Sequence, residues 1–137
     1  MALICDTGPL YASMDVSDDD HGACAQLLSS YDEALVVPAP VIVELDWLAG
    51  KRLDSRAMEA FVRDIEDGSV RVADLTRADY ARIWQLVAQY ADLPLGFVDA
   101  AVLAVVERLG EHKLATLDHR HFSVVRPRHT PHLQLLP

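Results

Sequence analysis

The stretch GFVDAAVLAVV, Gly96–Val106, sets one carboxylate, Asp99, in a run that is otherwise apolar. A helix apolar all round is a buried helix, and Gly110 supplies its stop after Leu109. An ionised Asp is almost never fully buried without a partner, and burying one unpaired costs several kcal/mol. Two readings follow. Asp99 is compensated by something that meets it in the fold, or it is a first-turn residue on a helix that starts at Gly96, where acids are favoured.

Outward from this helix, short apolar runs alternate with helical patterns. ALIC reads as a buried strand ending at Asp6, and Pro9 can start a short helix. A helix is expected from His21 to Ser30, then a strand ALVV over residues 34–37. PAPVIVELDWLAG turns through Pro38 and Pro40 into a helix that stops near Gly50. Asp54 caps the next helix, which runs to Asp67 with Gly68 as its stop. VRVADL is a third strand. Thr76 and Asp79 form a capping-box pattern for a helix running to Tyr90. KLATL, 113–117, is a fourth strand, and HLQLL, 132–136, a fifth at the edge. Short apolar strands alternating with helices indicate an α/β fold with a mostly parallel sheet of four to five strands, flanked by helices in three layers. Ligands of such sheets gather beyond the carboxyl ends of the strands.

The chain has 137 residues, about one domain, of which 51% are hydrophobic and 24% charged. That excludes a disordered chain. No apolar run approaches the roughly 20 residues of a membrane span. The start, MALICDTG, has no basic segment followed by a long apolar one, so no signal peptide is expected. Cys5 and Cys24 make no disulfide framework and no zinc spacing; they read as reduced core thiols of a cytoplasmic protein. The net charge of −9 argues superficially against nucleic acid. From Glu107 onward, however, five Arg or Lys face three acids, and five of the six histidines lie there. The acidic run DVSDDD, 15–20, reads as a solvated loop.

Four carboxylates then stand out. Asp6 and Asp118 end strands; each taken alone is a turn residue. Glu44 borders the Val41–Leu45–Leu48 core stripe of its helix, while Asp46 points to another face. Asp99 is the fourth. If all four converge, two charges about 5 Å apart at an effective dielectric near 20 repel by roughly 3 kcal/mol, and six such pairs would exceed a domain's stability. A bound divalent cation relieves this, and oxygen-only ligands select Mg²⁺ or Mn²⁺ over zinc.

With ICDTGPLYA, VIVELDWL, LGFVDAAVLAVVERLG and LATLDHRHF in this order, the chain resembles a PIN-domain ribonuclease, specifically a VapC-type toxin of a toxin–antitoxin pair. The resemblance covers essentially the whole chain, as a single PIN domain over residues 1–137. It implies a PIN-like fold and an acidic pocket of Asp6, Glu44, Asp99 and Asp118 holding Mg²⁺ or Mn²⁺. Thr116 matches a small hydroxyl residue that supports such pockets. DTGP is a departure: the family more often has Ser or Asn after Asp-Thr, and Gly8 offers no polar group there.

The resemblance further implies RNA cleavage by a metal-activated water, leaving 5′-phosphate and 3′-hydroxyl ends. It also implies a homodimer, inhibited by a small VapB-type antitoxin that binds DNA. Lys51, Arg52, Arg120, Arg126 and Arg128 are candidates for gripping RNA phosphates. Trp47 and Trp84 could anchor an interface, although core packing is the commoner fate of tryptophan.

Three other readings stay open. DTG is also the aspartic-protease signature, but that fold is all-β and this chain reads as helix-rich. A metal-independent nuclease could use His119 and His121 as acid and base, their i, i+2 spacing suiting a loop pair; it would leave 2′,3′-cyclic phosphates. Otherwise HRHF is a polar loop with Phe122 as a core plug. Finally, an inactive binding module could keep the fold for a partner, yet a pure binder has no reason to bear the carboxylates' repulsion.

Overall fold

A computed structural model describes all 137 residues, Met1–Pro137. Five short strands form one sheet: β1 (Leu3–Cys5), β2 (Leu35–Pro38), β3 (Val70–Ala73), β4 (Lys113–Ala115) and β5 (Gln134–Leu136). Their order is β3-β2-β1-β4-β5, and every pairing is parallel. The expected parallel sheet is therefore complete at five strands, with HLQLL on its edge.

Between the strands lie α1 (Thr7–Met14), α2 (His21–Ser30), α3 (Ala39–Arg52), α4 (Ser55–Glu66), α5 (Arg77–Gln89), α6 (Phe97–Leu109) and α7 (His119–Phe122). The chain first steps outward from β1 to β2 and β3, then crosses back to β4 on the other side of β1. Right-handed crossovers put these two sets of connections on opposite faces of the sheet, which yields three layers.

Local signals set most boundaries. Asp54 caps α4 by accepting from the Arg56 N–H. Thr76 and Asp79 complete a capping box at α5. Gly68 and Gly110 adopt positive φ, at 86° and 68°, after α4 and α6. Some boundaries differ: β3, β4 and β5 are each two residues shorter than expected, and α3 runs past Gly50 to Arg52, where the Leu53 N–H returns to the Ala49 carbonyl before the Asp54 cap begins the next helix.

The core centres on α6. Its residues Ala100–Val106 are all buried, and all of them but Val105 belong to one cluster with Leu3, Ile4, Val37, Val41 and Leu45. Two ion pairs hold α6 against α5 and its entry. Arg82 donates through Nε and Nη2 to both Glu107 oxygens at 2.8 and 2.9 Å, and Arg108 Nε donates to Asp79 at 3.0 Å. No helix is long and apolar enough to cross a membrane.

One alternative about the surface is settled and one expectation fails. Trp47 and Trp84 are 60% and 65% exposed, because they stand off the buried stripes Val41–Leu45–Ala49 and Ile83–Leu86 of their helices. Within the acidic loop, Asp15 is buried rather than solvated: it accepts from the Tyr11 hydroxyl and from the N–H and hydroxyl of Ser17.

Candidate active site

The strand order reverses between β1 and β4, so the carboxyl ends of these two neighbours open a crevice. Asp6 follows β1 directly and Asp118 follows β4 by three residues. Asp6 is 6% exposed. Its Oδ1 accepts from the Thr7 N–H at 2.8 Å and its Oδ2 from the Thr116 hydroxyl at 2.9 Å. That same hydroxyl accepts from the Asp118 N–H at 3.0 Å. Fully buried Thr116 therefore fixes both strand-end acids.

Asp118 caps the short helix α7 by accepting from the His121 N–H at 3.1 Å. The turn points the His121 ring back, so that Nδ1 lies 2.6 Å from Asp118 Oδ2 and 3.4 Å from Asp99 Oδ2. Asp99 is the third residue of α6, in the first turn as the capping reading expects, yet its carboxylate makes no hydrogen bond to the helix's own N–H groups; Gly96 is the N-cap. The side chain is 22% exposed and faces the other acids.

Electrostatics show the convergence. Burial, then the charges of Asp6 and Asp118, push the Asp99 carboxyl up to about 6; His121 opposes them, and Glu44 adds to the rise. Burial likewise raises Asp6, against the Thr7 and Thr116 hydrogen bonds that lower it, and the charges of Glu44 and Asp118 raise it further. Glu44 thus reaches the same field from an exposed position on α3. Asp46 instead lines a cleft with Met58 and Arg63 of α4.

This donor set fits a divalent cation. Asp99, Asp118 and His121 each offer one ligand atom, all within 4.8 Å of one another. Asp6 and Glu44 add negative charge, and the one basic group touching the acids is His121. Beside Asp6, the Thr7 hydroxyl is buried with no partner.

The expected basic residues separate. Arg120 lies exposed on α7, two residues from Asp118. Lys51 and Arg52 occupy the far end of α3, with Lys51 Nζ 3.5 Å from the Trp47 ring centre and Arg52 over Tyr11. Arg126 is exposed, its N–H donating to the Tyr90 hydroxyl. Arg128 donates through Nη2 to Gln85, and its N–H meets Glu107 at the opposite end of α6 from Asp99.

His119 and His121 do not form a loop pair. They sit on one helical turn, where residues two apart face different ways; His119 is exposed while His121 meets the carboxylates. Phe122 is the expected core plug, 2% exposed. Gly8 also gains a reason. A Cβ there would meet the Leu117 Cβ at 3.3 Å, so α1 packs closely on the segment leading to Asp118.

Glu44 also lines the largest groove, about 740 Å³, with Val43, Trp47, Tyr80, Phe97 and Val98. It is an apolar trough beside the acids.

Residues 3–126 match the PIN domain family. The chain is 34% identical over 125 residues to Ribonuclease VapC26 of Mycobacterium tuberculosis, covering 91% of this chain and 93% of that protein. Among solved structures it resembles M. tuberculosis VapC20, a Sarcin-Ricin loop cleaving toxin, with a TM-score of 0.76 at 24% identity over 82% of this chain and 86% of that one. It also resembles VapBC2 of Rickettsia felis, solved bound to a promoter DNA fragment, with a TM-score of 0.69 at 15% identity over 98% and 97% of the two chains.

Proposed function

This chain belongs to the PIN domain family and, within it, to the VapC ribonucleases, and on that premise we propose that it is a metal-dependent endoribonuclease toxin held in check by an antitoxin. The observation that carries the reading is the meeting of Asp6, Asp99 and Asp118, within the field of Glu44, at the reversal of strand order. Four acids so placed repel one another unless a cation joins them, and a stable domain has little reason to keep them otherwise.

Asp6, Asp99, Asp118 and Glu44 are the residues that would hold Mg²⁺ or Mn²⁺. When bound, such a cation supplies an acidified water and neutralises charge on the leaving oxygen. The chain's own residues do the rest. Asp6 is locked by the Thr7 N–H and the Thr116 hydroxyl, so its oxygens cannot swing. Asp118 is held from both sides, its N–H on Thr116 and its carboxylate on the His121 N–H. Asp99 brings its carboxylate from the first turn of α6 to face Asp118 and His121, so the three side chains point into one pocket. Exposed Arg120 is placed to meet a phosphate next to the acids.

The reading includes a single PIN domain over residues 1–137, working in the cytoplasm. An RNA substrate, a VapB-type antitoxin and a second copy of the chain are its partners. A solved structure that shares this fold, from Klebsiella pneumoniae, is a toxin–antitoxin complex, which supports that partner. Trp47, Trp84, Val43, Tyr80 and Phe97 are exposed on α3, α5 and α6, and this apolar strip supports a protein contact.

The test is incubation of purified protein with total RNA, in Mg²⁺, in Mn²⁺ and in chelator, with the cut ends mapped. Cutting that needs a cation and leaves 5′-phosphates is the expected result. Chelator-resistant cutting, cyclic phosphate ends or no cutting at all would overturn the reading. Expression without the antitoxin should also arrest growth.

A further inference from the structure

His121 is the one nitrogen donor among these oxygens. Its Nδ1 lies 2.6 Å from Asp118 Oδ2 and 3.4 Å from Asp99 Oδ2, so it faces carboxylates from two different helices at once. Neighbouring ligands around a cation with bonds of about 2.1 Å stand about 3 Å apart. The two N···O distances straddle that value, which is the spacing a third ligand atom at Nδ1 needs.

The ring is delivered there by an anchored turn. Its backbone N–H is bonded to Asp118 Oδ1, and the next residue, Phe122, is plugged into the core. Nε2 has no partner within the chain, so the ring proton can sit on Nε2 and leave the Nδ1 lone pair to a metal.

We infer that His121 Nδ1 binds the same cation as Asp99 and Asp118, making a mixed nitrogen–oxygen centre that prefers Mn²⁺ to Mg²⁺. The inference rests on the metal-dependent reading above and departs from the all-oxygen site expected from the sequence. Imidazole suits transition metals, whereas Mg²⁺ takes oxygen ligands and dehydrates reluctantly. A carboxylate-only site would separate the two ions less.

The probe is Mn²⁺ alone, without RNA, followed by electron paramagnetic resonance on the wild type, His121→Ala and His121→Asn. The wild type should show the nitrogen modulation of a coordinated imidazole, and both variants should lack it. Competition with Mg²⁺ should show the preference for Mn²⁺ dropping by at least the roughly tenfold that even an outer-shell change brings. Mn²⁺ bound by the wild type without nitrogen coupling overturns the inference and leaves the metal-dependent reading standing. So does an unchanged Mn²⁺-to-Mg²⁺ ratio in a folded variant. A wild type that binds neither ion overturns both. If the variants do not fold, the wild-type spectrum decides.

Discussion

The Thr116 hydroxyl donates to Asp6 Oδ2 at 2.9 Å, tying the end of β4 to the end of β1 across 110 residues of chain. The contact is fully buried at Thr116 and nearly so at Asp6. Two acids that repel each other are thus held at fixed positions by one side chain, which also accepts from the Asp118 N–H.

Thr116→Val keeps the shape and removes the hydroxyl. It leaves Asp6 Oδ2 and the Asp118 N–H short of a partner, a cost of about 1–3 kcal/mol. Cleavage should fall about 10–100-fold, as when a ligand loses its outer support. Thr116→Ser should recover most of both. Paired denaturation curves and cleavage rates check this; a Val variant as active as the parent would remove Thr116 from the site.

Asp99→Asn should cut cleavage by at least about 100-fold, beyond the range of an outer-shell loss. In chelator near neutral pH the variant should melt higher than the parent, since a repelling charge is gone. Added Mn²⁺ should raise the parent's melting temperature by mass action and the variant's much less. Asn caps helices as well as Asp does, so an active, metal-responsive variant would return Asp99 to the role of a helix-start residue.

The pH dependence carries the opposite sign to that of a salt-bridged acid. Asp99 titrates at about 6 in the fold against an ordinary 3.8. Between those values the folded chain holds a proton that the unfolded chain has released, so stability falls as pH rises through the window. The full cost, about 3 kcal/mol, is present above pH 6 and absent below pH 4. Asp6, raised in the same sense, adds to it. Melting curves from pH 4.5 to 7 without metal should slope downward for the parent and less for Asp99→Asn. Mn²⁺ affinity should weaken below pH 6, where protons compete for the same oxygen.

Among the basic residues, Arg120→Ala should weaken RNA binding and reduce its salt slope by about 1, the loss of one phosphate contact. Arg128→Ala should leave the slope unchanged, because that guanidinium is engaged with Gln85 at the far end of α6. Binding isotherms at several salt concentrations separate the two. An unchanged slope for Arg120→Ala would show that α7 does not touch the RNA backbone.

Much of the architecture could be read from residue order, since strands such as LIC and LVV are short apolar runs and the later helices carry strong punctuation at Asp54, Thr76 and Gly110. Asp6, Asp99 and Asp118 were visible because each is a charge where the pattern asks for apolar or turn residues. Glu44 was harder, since an exposed acid on a half-buried helix is ordinary until its field on Asp6 is known. His121 was misread. HRHF is too short for helical periodicity to show, and only the Asp118 cap turns it into α7 and aims the ring. The tryptophans stayed open between interface and core, because side-chain size signals burial on average while their positions off the buried stripes of α3 and α5 decide it here.

Cys5 stands one residue before Asp6, has no accessible surface, and its thiol is pushed up to about 12, chiefly by burial and then by the Asp6 charge. In the closed protein it offers almost no thiolate to a labelling reagent. It reacts only when β1 leaves the sheet, an event that also dismantles the Asp6 site. The labelling rate of this thiol therefore clocks the opening of the candidate crevice itself. Cys24, equally covered on α2, clocks that helix. The two native thiols make an internal gauge that separates, for every substitution above, a lost reaction from a lost fold.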